Sequence, residues 1–190
     1  MKRWPLMLVS LAAALSAGVV AAEPTPVDGT WQKHDDIFSF AGFTTHYSCV
    51  GLESKLKLLL GMVGARPDFK VVGTCTDAPG APTRIQVARL TFYTLAPPGG
   101  TVAAGKLGLR TTPTSEPGRG EWRVINWTPT APREIESGDC ELVEQFQHEI
   151  LPVFATRGIE SHMACVPNQA NLSGIHLKFE VLAALPDAKR

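Results

Sequence analysis

Four cysteines set the frame for this chain. They stand at positions 49, 75, 140 and 165, in two pairs 26 and 25 residues apart, and the chain between the members of each pair follows one plan. Tyr47-Ser48-Cys49-Val50-Gly51-Leu52-Glu53 lies beside Gly138-Asp139-Cys140-Glu141-Leu142-Val143-Glu144. Each leading cysteine opens an amphipathic helical stretch. Leu52, Leu56, Leu59, Leu60 and Val63 recur at helical spacing in the first, and Leu142, Val143, Phe146, Ile150, Val153 and Phe154 do so in the second. Ser48 and Asp139 are the predicted N-caps, since a short side-chain oxygen there accepts an orphan backbone N–H. Glu53 and Lys57, four apart, fall on the wet side. Gly64-Ala65-Arg66-Pro67 ends the first helix and Thr156-Arg157-Gly158 the second, with an arginine in register in both. Pro152 predicts a kink in the last turn of the second helix.

Strand-like runs surround each helix. Residues 37–44 and 121–128 precede the helices, 69–75 and 159–165 follow them and end in the second cysteine of each pair, and 84–95 and 174–185 come last. Ile175, Leu177, Phe179 and Val181 alternate cleanly. In the earlier run, Ile85 and Val87 are out of phase with Leu90 and Phe92, which predicts a bulge near Ala88. Trp122 and Trp127 fall on opposite faces of one strand, so one of them should face outward.

The expected fold is therefore α+β: two β-α-β-β repeat units, residues 23–95 and 121–190, related by a pseudo-twofold, their helices packed on one face of antiparallel sheet. Residues 96–120, with four prolines and six glycines, read as a linker or mobile loop. About 16 helical residues rise roughly 24 Å, and the returning strand covers roughly 23 Å. Cys75 thus comes back to the level of Cys49, and Cys165 to that of Cys140. Two intra-unit disulfides follow, Cys49 with Cys75 and Cys140 with Cys165.

Residues 1–22 read as a secretory signal cleaved near Ala22: Lys2 and Arg3, an apolar stretch over 6–20, then Val20-Ala21-Ala22. The stretch is short for a membrane span, so no stable membrane insertion is expected after cleavage. Export to the periplasm or beyond would place the cysteines in an oxidising compartment, where an even count reads as disulfides. The chain carries 18 basic and 18 acidic residues; without Lys2 and Arg3 the balance is 16 to 18. A nucleic-acid partner is excluded, because phosphate binding needs a basic surplus.

No catalytic motif stands out. The sequence holds no Cys-x-x-Cys, no Gly-x-Ser-x-Gly, no phosphate-binding loop and no dinucleotide fingerprint. The weak metal candidates are His34, Asp35 and His46, which flank the first strand and would form an N/O site only if the fold gathers them. Glu53 and Glu144 occupy matching helix positions and read as a wet face. The expectation is a soluble periplasmic binding or assembly protein without catalysis or cofactor and with a possible protein partner; the alternative is a metal-binding protein or enzyme whose site is assembled in space from His and Asp residues.

Phe43-Thr44-Thr45-His46-Tyr47-Ser48-Cys49, the Gly64-Ala65-Arg66 helix end and Gly138-Asp139-Cys140-Glu141-Leu142-Val143-Glu144-Gln145-Phe146 resemble exported proteins of proteobacteria that carry no assigned function. The resemblance implies a periplasmic address and supplies no catalytic residue. A β-α-β-β duplication is also similar, at the level of fold, to the paired modules of vicinal oxygen chelate enzymes, whose metal-ligand pattern this sequence does not show.

Overall fold

The structure is a computed structural model that describes residues 25–74, 81–100, 109–170 and 174–185. In chain order it runs β1 (Val27–Ala41), α1 (Cys49–Met62), β2 (Lys70–Gly73), β3 (Ile85–Ala96), β4 (Arg110–Trp127), α2 (Cys140–Glu149), β5 (Thr156–Ala164) and β6 (Gly174–Ala184). The strands form one antiparallel sheet in the order β2-β3-β1-β4-β6-β5. Exchange β1, β2 and β3 for β4, β5 and β6, and the order reads the same from the opposite edge.

Both helices cover one face. Leu52, Leu56, Leu59, Leu60 and Val63 from the first, with Leu142, Val143 and Phe146 from the second, meet Phe38, Phe40, Leu90, Phe92, Trp127, Leu177 and Phe179 in a continuous core. These are among the helix positions the spacing predicts; Ile150, Val153 and Phe154, expected within the second helix, are buried after its end, and Thr156–Gly158, expected to end it, open β5. Ser48 caps α1 as expected, its hydroxyl accepting from Gly51 N at 3.0 Å. The helix ends where Gly64 takes φ +77°. Ala65 N then bonds Leu60 O at 3.0 Å and Gly64 N bonds Gly61 O at 3.1 Å, the paired closure of a helix that finishes in a left-handed residue. A side chain at 64 would also strike Ala183, 2.3 Å from the position of its Cβ. Pro152 ends α2 early: after Glu149 the chain tightens into a 3-10 turn, Leu151–Val153.

Three expectations need correction. First, no bulge lies near Ala88. β1 and β3 stay in register from Thr30 opposite Ala96 to Ala41 opposite Ile85, and the irregularities fall instead between Thr30 and Gln32 and between Arg157 and Glu160. Ala88, Leu90 and Phe92 are the core face, while Ile85 and Val87 belong to the other face. Second, residues 110–120 of the expected linker are strand. They pair with β1, which itself begins at Val27 rather than near 37. Pro113 and Pro117 are tolerated because β6 joins β4 only from Gly120 onward, which leaves an open edge where a missing N–H costs nothing. Third, Asp139 stands at the N-cap position of α2 but its side chain makes no cap bond to that helix. A 3-10 turn, Ser137–Asp139, precedes the helix, and the Asp139 carboxylate accepts from Glu136 N at 2.8 Å within a reciprocal capping box.

Cys140 and Cys165 are joined, with α-carbons 5.5 Å apart. Cys75 lies outside the described residues. Gly73, two residues before it, brings its backbone against Cys49: a Cβ at Gly73 would stand 2.4 Å from the Cys49 sulfur. No helix among the described residues is long and apolar enough to cross a membrane.

Candidate functional site

The metal candidates are pulled apart by strand geometry. His34 and Asp35 are neighbours on β1, so their side chains leave opposite faces of the sheet. His34 is fully buried on the helix side, stacked on Phe92 at 5.0 Å between ring centres. The Thr94 hydroxyl donates to Val153 O at 3.1 Å, so it can only accept from His34 Nε2–H, 2.8 Å away. His34 Nδ1 then accepts from the Thr111 hydroxyl at 3.0 Å. Both ring nitrogens are used and the ring is neutral. Burial pushes its pKa down to about 4, against the opposing pull of Asp35. Asp35 sits on the far face, its carboxyl held below the usual range first by Lys33 at 2.8 Å and also by the Thr91 hydroxyl. His46 is exposed in the loop before α1. Among the described residues no group of three His, Cys, Asp or Glu side chains is placed to hold a metal ion.

The structure gathers a different polar cluster, where the loop between β1 and α1 meets the start of α2. Asp139 is buried and accepts from the Tyr47 hydroxyl, from Lys55 Nζ at 2.6 Å and from Glu136 N. Its neighbour Glu141, also buried, accepts at one oxygen from Phe43 N at 2.8 Å and Thr44 N at 3.0 Å, and the single Thr44 hydroxyl proton is shared between its other oxygen and Val166 O, each 3.2 Å away. The Thr45 hydroxyl donates to Gly138 O, and the Gln145 amide exchanges two bonds with the backbone of Ala41. Burial first, then the Asp139 charge, raises the Tyr47 phenol far above its ordinary pKa, so it stays a donor. Both Asp139 oxygens and one Glu141 oxygen hold donors from the other element or the adjoining turn. Such groups lock two elements together. The reading of Asp139 from sequence alone stopped at its role beside α2, because its partners Tyr47 and Lys55 stand more than eighty residues away.

Among the described residues, one face of the sheet carries no helix. It divides in two. Near its middle it has a small core of its own, Trp31, Leu95 and Leu182, over which the Arg66 guanidinium lies 3.7 Å from the Tyr93 ring and 5.2 Å from the Trp31 ring. Gly118 and Gly120 let β4 close over it, since a Cβ on either would come within 2.8 Å of Leu95. Arg157 lies likewise over Trp122 at 4.1 Å. Trp31 and Trp122 are 91 residues apart, as are Arg66 and Arg157 and as are Cys49 and Cys140. Trp127 is the inward member of its strand pair and Trp122 the outward one.

Toward the ends of the strands this face is bare. Ile37 and Ile85 are each 62% exposed, Val124 61% and Val72 58%, although all four lie within strands. Their cross-strand register makes rows. Val72 stands opposite Arg89 and Arg89 opposite Ile37; in the next row Lys70, Thr91, Asp35 and Arg110 follow one another across four strands. The odd phase of Ile85 and Val87 is the signal of this surface in the sequence. Comparison with family models, with curated proteins and with solved structures yields no match. The site itself must carry the reading.

Proposed function

We propose that this chain is an exported, non-catalytic binding or assembly module that meets a protein partner through the helix-free face of its sheet. The observation that carries the reading is the set of exposed β-branched residues, Ile37, Val72, Ile85 and Val124, on a sheet face where solvated strands normally place polar side chains. The donors that the Asp139 and Glu141 carboxylates take from the other element support a structural rather than a chemical role for the polar cluster. Export is supported by the leader at residues 1–22, with a periplasmic address after cleavage near Ala22, and by the resemblance to exported proteobacterial proteins.

The same reading takes the fold as a duplication, one β-α-β-β unit followed by a linked second. The reversed strand order and the two Arg–Trp stacks at one sequence offset support it. Under it, Cys49 pairs with Cys75 as Cys140 pairs with Cys165.

A photo-crosslinking residue placed at Ile85 or Val124 tests the reading in the exported protein. The expected result is a discrete adduct with one partner from both positions and none from Lys57, on the outer side of α1. Equal labelling from all three positions, or none from the sheet face, overturns it.

A further inference from the structure

We infer that the part of the bare face built by β1, β2 and β3 docks an extended segment of a partner protein that is both acidic and aliphatic. This rests on the binding-module reading and names the chemistry of the partner. Five cations, Lys33, Arg66, Lys70, Arg89 and Arg110, stand on this half of the face against three acids, Asp35, Asp68 and Glu116, the last two held by Arg66 at 2.8 Å. Asp35 is already engaged by Lys33 at 2.8 Å. Among the described residues Lys70, Arg89 and Arg110 have no ion pair. Arg89 sits between Val72 on one side and Ile37 on the other, one strand apart in each direction, so an anion reaching it must cross aliphatic surface. Along β3, Ile85, Val87 and Arg89 share the face at about 6.7 Å intervals, the spacing of alternate residues in an extended chain. A partner strand running along β3 can therefore set two apolar side chains and then a carboxylate in matching order. Each unpaired cation gains charge-assisted contact beside apolar area that loses water on docking.

Two other occupants fit less well. A second copy of this chain would have to offer acids, but on the other half of the face Glu180 is bound by Arg157 at 2.5 Å and Glu160 faces Lys178 at 3.8 Å. An anionic bilayer is met by protruding aromatic and leucine side chains; the exposed apolar residues on the strands of this half are β-branched, and its Tyr93 ring is already covered by Arg66.

The test uses the mature chain and a synthetic heptapeptide, acetyl-Val-Ser-Val-Ser-Glu-Ser-Glu-amide, in which both valines and both glutamates share one side when extended. In an NMR titration the expected result is saturable binding, with amide shifts confined to β1, β2, β3 and the start of β4 at Arg110. Arg89→Gln should weaken it at least fivefold, as should raising salt from about 50 to 300 mM. Lys57→Gln should leave it unchanged, and the peptide with lysine in place of glutamate should not bind. Equal binding by Arg89→Gln, absence of saturation, or stronger association with phosphatidylglycerol vesicles than with the peptide overturns the inference. Arg89 is exposed, so its substitution tests the surface without threatening the fold. If photo-adducts still form from Ile85 and Val124 while the peptide fails, only the partner chemistry falls.

Discussion

His34 shows how a residue type that invites a functional reading is absorbed by the core. Its imidazole is neutral, with a donor to Thr94 and an acceptor for Thr111. In the unfolded chain the same ring titrates near its ordinary value of about 6.5, whereas in the fold its pKa is about 4. The unfolded state therefore binds the extra proton first as pH falls. The stability this group contributes is complete above about pH 6.5 and is lost as pH drops toward 4. Between pH 7.5 and 5 the loss should be about 2 kcal/mol in urea unfolding, before most carboxylates titrate. His34→Gln, which keeps a donor and an acceptor, should be less stable at pH 7.5 and nearly flat across that window. An equally steep profile in the variant would assign the pH dependence elsewhere.

Among the elements, α1 is the one most completely specified by its own residues. Its apolar stripe, its Ser48 cap and its Gly64 stop are all read within a few positions of where they act. Gly64 also serves packing, since the turn it makes lies on Ala183 of β6, and Ala184 N reaches back to Gly64 O at 3.4 Å. Gly64→Ala should cost about 2–4 kcal/mol, from the left-handed backbone and from overlap with Ala183 together. Gly61→Ala, one turn earlier with nothing within 4 Å of the added carbon, should be neutral or slightly stabilising. Chemical denaturation of the two variants side by side separates backbone strain from a general intolerance of this helix end. β4 is the contrary case, because its first residues carry threonine, proline and glycine and become strand only through β1.

For the whole molecule, the contacts that matter join the loop before α1 to the start of α2. Asp139→Ala would leave Tyr47 without its acceptor and Lys55, also from the first half of the chain, with only the Glu134 carbonyl, and should cost about 3 kcal/mol, the low end for breaking a buried pair. Tyr47→Phe leaves the Lys55 bond in place and should cost about 1 kcal/mol. If the two substitutions cost the same, the phenol rather than the charge holds the junction. The bridge of Cys140 to Cys165 closes a 25-residue loop, worth about 3.5 kcal/mol in the chain-entropy model. Under the duplication reading, a non-reducing peptide map should find it together with Cys49 joined to Cys75 and no free thiol. A cross-unit pair such as Cys49 with Cys140 would refute that reading.

Read alone, the sequence determined α1, the start of α2, the inward phase of β6 and the bridge of Cys140 to Cys165, because those depend on spacings of three or four residues, on a cap next door, or on one helix and the strand that returns along it. It separated the two tryptophans for the same local reason. Only the tertiary structure decided that residues 110–120 are strand, that Ile85 faces solvent without a bulge, and that His34 and Asp35 part company. It alone chose the partners of Asp139 and Glu141. A strand's second edge and a buried carboxylate's donors are supplied by backbone and side chains far along the chain. Nothing within a few residues of Pro113 or Asp139 records which distant segment will lie beside it.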